Sequence, residues 1–215
     1  MVAAGAVAVG MLAASGFAVY KTVQLATGGK VEVRFAESEI SANTQVTLSQ
    51  LRKIAVWPSP DPYSVVNWWP RGDDIRLTEL LQRYGYFAIA TPNTVQKVAN
   101  SRGIATDLSQ LTQNERLDAF QAVANELGVD GIIAFSLGSW GYDMKPFSFK
   151  RGEGTIAFSV VTYSTLGRNL AWEQDGQFAI IGGRKTIFSK PEGEEMQGIL
   201  VTAVAEKFLR ISGVR

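Results

Sequence analysis

The sequence predicts a mixed-sheet α/β sandwich preceded by one transmembrane helix. Three observations predict it. Residues 2–20, VAAGAVAVGMLAASGFAVY, run nineteen positions without a charge. From residue 51 onward, short apolar runs alternate with amphipathic, capped helical patterns, the arrangement of an α/β domain. Two long strand-like segments, 155–165 and 169–181, are joined by Leu166-Gly167-Arg168 and followed by a last helix over 193–211.

The totals narrow the function before any motif is read. The chain has 215 residues, enough for one domain with an appendage, and 46% of them are hydrophobic and 19% charged. Net charge is +1, with Lys and Arg scattered. Nucleic-acid binding draws on clustered cations that neutralise phosphates, so no nucleic-acid partner is expected. There is no cysteine and no histidine. Thiolate and imidazole metal sites, disulfides and every Ser-His-Asp or Cys-His mechanism are thereby excluded.

The uncharged segment at 2–20 would make a helix about 28 Å long, close to a bilayer's hydrocarbon thickness. It reads as a retained membrane anchor within residues 1–29, contacting the lipid bilayer. The rival reading is a cleaved signal peptide, for Ala13-Ala14-Ser15-Gly16 resembles a small-residue cleavage region. No basic residue precedes the run, and a lipoprotein signal would need the missing cysteine. Ala6, Gly10, Ala14 and Ala18 fall four apart and would form a small-residue packing ridge, a pattern that alanine-rich segments also produce by chance. Lys21, Lys30 and Arg34 behind the helix argue for a cytoplasmic domain by the positive-inside tendency.

Residues 30–50 read as a linker or arm, polar apart from VEVRF at 31–35, which alternates like a short strand. The domain proper is expected over 51–215. RKIAVWP (52–58) reads as a buried strand closed by proline. Asp73 or Asp74 caps a helix to Tyr84 with Ile75, Leu77, Leu80, Leu81 and Tyr84 on its apolar face and Gly85 as its stop. YFAIA (86–90) is a second strand. Thr91 caps and Pro92 opens a helix to about Arg102. Thr112-Gln113-Asn114-Glu115 is a capping box ahead of a helix with Leu117, Phe120, Ala124 and Leu127 on one face. VDGIIAFSLGSW (129–140) is nearly all apolar and reads as a central strand, followed by loop over 141–152. The last helix buries Ile199, Leu200, Val204, Phe208 and Ile211.

These residues resemble the TolB amino-terminal-domain fold of envelope proteins, among them CsgG-, LpoB- and PelC-type lipoproteins and related small lipoproteins. The likeness rests on RKIAVWP, on LTELLQRYGYFAIATPNTVQKV, on AVANELGVDGIIAFSLGSW and on IAFSVVTYSTLGRNLAWEQDG, and covers roughly residues 51–182. The resemblance implies accessory, scaffold or ring-forming roles rather than catalysis. Partners would be other membrane or envelope proteins, or further copies of the chain. It also implies the periplasmic side, against the positive-inside tendency. This chain departs from those lipoproteins in having a peptide anchor where they carry an acylated cysteine, which favours the inner membrane over the outer.

Candidate chemistry is thin. Gly182-Gly183-Arg184-Lys185-Thr186 looks like the end of a phosphate-binding loop, but Gln177 stands where the first glycine is required. Asp73-Asp74 and the Glu192, Glu194, Glu195 group sit at helix starts, where carboxylates are favoured by the helix dipole. No enzyme activity, cofactor or metal is expected, although a carboxylate-only hydrolase would need only convergent acids in one cleft. Trp57, Trp140 and Trp172 lie on apolar strands and read as core. The remaining stretch, VVNWWPRGDD at 65–74, sets Trp68 and Trp69 in a proline- and glycine-rich loop, and loops lie on the surface. Trp68, Trp69, Pro70 and Arg71 are therefore expected to form a partner-binding patch, because Trp and Arg are enriched at interface hot spots. The competing reading folds the tryptophans over the 73–84 helix as a lid. The functional expectation is a non-catalytic structural or accessory subunit of a cell-envelope assembly, single-pass in the inner membrane with its domain periplasmic. The alternative is a periplasmic module that binds a small lipid or glycan in a concave apolar pocket.

Overall fold

Seven strands form one mixed sheet in the order β1-β2-β7-β6-β5-β3-β4. The computed structural model describes residues 16–25, 29–37, 41–60, 69–144, 152–182 and 190–214. The strands are β1 (Phe17–Gln24), β2 (Lys30–Ala36), β3 (Lys53–Val56), β4 (Ala88–Ala90), β5 (Gly131–Met144), β6 (Gly152–Ser164) and β7 (Asn169–Gly182). The helices are α1 (Ala42–Ser49), α2 (Asp73–Tyr84), α3 (Pro92–Ser101), α4 (Gln113–Leu127) and α5 (Lys190–Ile211). Strand β3 runs parallel to both neighbours, β4 and β5, while all other pairs are antiparallel. Parallel strands are covered on both faces, and Ile54, Ala55 and Val56 of β3 are accordingly all buried.

The sheet separates two apolar clusters. On its first face, α5 and α2 pack with Val31, Val33, Phe35, Ile133, Phe158, Val160, Phe178 and Ile180, and Leu48 of α1 joins them. On its second face, α3 and α4 bring Val95, Ala99, Phe120, Val123 and Ala124 against Ala55, Ile132, Ala134 and Tyr163. Local signals set the helix ends. Thr112 Oγ1 accepts the Glu115 N–H at 3.3 Å while Glu115 Oε2 accepts the Thr112 N–H at 2.7 Å, the capping box the sequence announces. Gly85 stops α2 in the left-handed region at φ 74°, where a Cβ would be strained. The strands, helices and hairpin expected after residue 51 are all present, with β5 running on to Met144 through part of the expected loop.

The amino-terminal expectations need correction. Phe17–Tyr20, expected inside a membrane helix, belong to β1, whose Phe17 pairs with Ala36 and whose Gln24 pairs with Lys30. The helix therefore does not extend through these residues, and residues 1–15 lie outside the described ones. No helix among the described residues is long and apolar enough to cross a membrane. Nor is 30–50 a linker. Lys30–Ala36, containing the VEVRF segment, is β2 and lies between β1 and β7, and Ala42–Ser49 is α1, capped by Ser41 through the Thr44 N–H at 3.1 Å. The fold accordingly begins at β1, well before Leu51. On α2, Ile75 is exposed rather than part of the apolar face.

Packing on the first face tolerates no side chain at Gly176 of β7. It pairs with Phe158 of β6, and a Cβ there would stand 2.1 Å from the Phe158 ring. That ring is fixed edge-on by Phe35 at 5.5 Å between centroids and tilted against Phe135 at 6.1 Å. Gly176→Ala is expected to cost about 1–3 kcal/mol through overpacking, seen as a Tm lowered by several degrees without loss of the folded spectrum. An unchanged Tm would show that the Phe158 ring does not occupy that space.

Candidate functional site

Within VVNWWPRGDD, Trp68 lies outside the described residues, together with residues 61–67. Trp69 is wholly buried, Pro70 half-buried and Arg71 exposed. The indole of Trp69 meets the ring of Phe178 edge-on at 5.7 Å and joins the first-face core. The expectation that Trp69 forms part of a partner-binding patch is thus corrected. The chain turns inward just ahead of α2, with Gly72 at φ 92° reversing its direction, and the indole fills the space over β7. Of the membrane ridge, Ala6, Gly10 and Ala14 lie outside the described residues. Ala18 is exposed on β1 opposite Phe35, so it extends no helical ridge.

What holds Trp69 is a polar cluster linking α2 to α5. Its Nε1–H donates to Asp73 Oδ1 at 3.1 Å, and Gln197 Nε2 donates to the same oxygen at 2.9 Å. Gln197 Nε2 also reaches the Pro70 carbonyl at 3.2 Å, and its Oε1 accepts from Arg76 Nη1 at 2.9 Å. Arg76 Nη1 donates in turn to the Glu194 carbonyl at 3.0 Å. Asp73 and Gln197 are both buried. Burial raises the Asp73 carboxyl to about 6 from an ordinary 3.8, against the lowering effect of the Trp69 and Gln197 bonds. Asp74 is turned elsewhere, accepting the Ser59 N–H at 3.2 Å, so the two aspartates do not share one acceptor site.

A further cavity lies elsewhere, at the carboxyl end of β3. The chain leaves β3 for α2 on the first face and returns from β4 to β5 through α3 and α4 on the second. The crevice between β3 and β5 is therefore a topological switch point, where open α/β sheets bind ligands. A cleft of about 580 Å³ opens there on the second face. Its walls are Trp57, Pro58 and Pro60 after β3, Leu108, Leu111, Arg116 and Phe120 around α4, and Ala134, Ser136, Leu137, Ser159, Val161 and Leu170 from the sheet. Trp57 is pinned by its Nε1–H to the Thr106 carbonyl at 2.8 Å and by an edge-on contact with Phe120 at 4.9 Å. Ser59 Oγ donates to the Phe135 carbonyl at 3.1 Å, and the Ser136 and Ser159 hydroxyls pair at 2.9 Å.

Charge enters this cleft only at its rim. Arg116 donates Nε–H to the Leu111 carbonyl at 3.1 Å. Asp107 and Glu173 are the acids. Burial acts to raise the Asp107 carboxyl, but bonds from the Ser109 and Gln110 side chains and the Ser109 N–H outweigh it and hold it below its usual range. No group of three or more acidic side chains able to hold a metal ion occurs among the described residues. The sequence had marked Trp57 as core, which it is, but not the cleft beside it.

Substitutions at Trp69 separate packing from hydrogen bonding. Trp69→Ala is expected to cost about 3–5 kcal/mol, the range for emptying a buried aromatic site. Trp69→Phe keeps most of the packing and removes one donor from Asp73, and is expected to cost about 1–3 kcal/mol. Chemical denaturation of both variants checks this. Wild-type stability for the alanine variant would return Trp69 to the surface.

Comparison with known proteins yields likeness of chain path only. No family model and no curated protein matches the chain. Among solved structures it is similar to the lipoprotein GNA1162 from Neisseria meningitidis, at 16% identity over 74% of this chain and 99% of that one, with TM-score 0.43. It is also similar to a PelC dodecamer from Paraburkholderia phytofirmans, at 12% identity, 83% and 95% cover and TM-score 0.40. A third is the LpoB C-terminal domain from Salmonella enterica, at 10% identity, 65% and 98% cover and TM-score 0.37. No TM-score among these three reaches 0.5, and neither partner nor pathway passes from them to this chain.

Proposed function

We propose that this chain is a non-catalytic accessory subunit of a cell-envelope protein assembly, of TolB amino-terminal-domain type, acting by protein–protein contact. The observation that carries the reading is the switch-point cleft. Its half-buried Pro58, Pro60, Leu108, Leu111, Leu137 and Leu170 form an apolar lining. Such a lining suits an extended segment of another protein, with an apolar centre and a polar rim as interfaces have. Two rim acids against one arginine favour a segment that carries a basic residue beside its apolar anchor. Apolar residues 2–16 ahead of β1 would bring the domain to the membrane, and the sequence resemblance favours its periplasmic side.

A second reading keeps the cleft and changes its occupant. A volume of about 580 Å³ falls within the range of small-molecule sites, so a small lipid or glycan would fit. Leu108→Arg tests both. It sets a cation at the mouth of the cleft, in a short 3-10 turn outside the strands and α-helices. In detergent extracts the variant is expected to keep its Tm within a few degrees and to lose the co-purifying partner about tenfold or more. Partner recovery equal to wild type would sink the docking reading. A lipid or glycan found by native mass spectrometry in the wild type and not in the variant would establish the second.

A further inference from the structure

The buried cluster around Asp73 does more than hold Trp69 in place. Five groups from two parts of the chain meet there: the Trp69 indole, the Asp73 carboxyl, the Arg76 guanidinium, the Gln197 amide and the Pro70 carbonyl. They join the entry into α2 to the early turns of α5. Both side-chain donors to Asp73 are neutral, and both converge on Oδ1. The neighbouring cation, Arg76, is already engaged by Gln197 Oε1 and the Glu194 carbonyl. Asp74, next in sequence, adds like charge, and Phe178 on β7 offers the cluster only an apolar ring against Trp69.

We propose that this cluster is an acid-strengthened latch between residues 69–76 and α5. With Asp73 protonated the junction is closed; as Asp73 ionises, the junction loosens and Trp69 is released from the core. A buried carboxylate without a dedicated cation is costly, whereas a neutral carboxyl at the same place accepts the same two bonds without burying a charge. The direction follows from linkage. The folded-state value, about 6, lies above the ordinary 3.8, so the folded chain keeps this proton to higher pH than the unfolded chain. The stabilisation is fully present below about pH 4 and is lost as the pH rises through about 6.

The test is a pH titration of the full chain followed by NMR on the five tryptophan indole N–H groups, with Trp69→Phe identifying the Trp69 signal. The Trp69 indole shift is expected to titrate with a midpoint near 6, and Tm to fall by about 3–6 °C between pH 5 and pH 7.5. In Asp73→Asn, which keeps an oxygen acceptor and has no charge, both changes should vanish. At pH 7.5 the Trp69 indole N–H should exchange about fivefold or more faster in the wild type than in that variant. A Trp69 shift with no inflection between pH 5 and 7.5 overturns the latch, as does an equal fall of Tm in the asparagine variant. Equal exchange at pH 7.5 overturns the release of Trp69. Should Asp73→Asn not fold, the wild-type titration alone decides.

Discussion

The first face of the sheet must be covered, and much else follows from that. From β2 across to β5 it presents Val31, Val33, Phe35, Phe178, Ile180, Ile156, Phe158, Val160, Ile133 and Phe135, all buried. Long antiparallel strands cannot shield this area themselves; only elements laid across them can. Helix α5 supplies most of the cover through Leu200, Val201, Val204, Phe208 and Ile211, and α2 supplies Leu77 and Leu81. Trp69 fills the space over Phe178, in front of α2. At roughly 25 cal/mol per Å² of apolar surface, burial of these aliphatic and aromatic side chains favours folding.

The second face is divided. Over β3, β4 and β5 it is apolar and carries α3 and α4. Toward the other edge it turns polar: Lys30, Glu32 and Arg34 alternate along β2, and Glu32 accepts from Lys30 and Arg34 at 2.7 Å each. Hydrogen bonds from Lys30 and then Arg34 hold the Glu32 carboxyl below its usual range, so this row is charged and satisfied by its own ion pairs. The cleft lies where the helical cover ends, at the carboxyl end of β3. Its position is thus a consequence of strand order, and its apolar lining joins Leu108, Leu111 and Leu170 of the second-face cluster to Leu137, which packs against the first-face cluster.

Much of this was legible in the sequence, for reasons that differ by element. Helix α4 announces itself through the Thr112–Glu115 capping box, and α3 through Pro92 in its first turn, because both signals are local. The amino terminus was misread because an uncharged run does not say where helix gives way to strand. FAVYKTVQ becomes β1 by pairing with β2, a contact that no local window contains. Helix α1 was missed because ANTQVTLS buries little beyond Leu48, leaving no apolar stripe to detect. The cleft gathers residues 57–60, 107–120, 134–137 and 159–173, so it exists only after the sheet has formed. Trp69 was misplaced by the rule that loops are exposed. The missed sign was an aspartate four residues on, able to take an indole N–H inward.

Three buried tryptophans show how differently that N–H is treated. Trp57 donates to the Thr106 carbonyl, an acceptor indifferent to pH. Trp172 has its Nε1–H buried with no partner among the described residues, a penalty accepted for packing against Phe208. Trp69 donates to a carboxyl, the one of the two acceptors whose charge depends on pH. A neutral asparagine would accept the same bond and the Gln197 amide with no buried charge, while an acid at 73 gains from the amino-terminal dipole of α2. Under the latch proposed above, the seam between α2 and α5 would weaken as Asp73 ionises. The cleft on the opposite face rests on Trp57 and its fixed carbonyl partner. The buried indole beside the cleft thus donates to an acceptor that carries no charge, and the indole at the seam to one with an ionisable proton, on opposite faces of the same sheet.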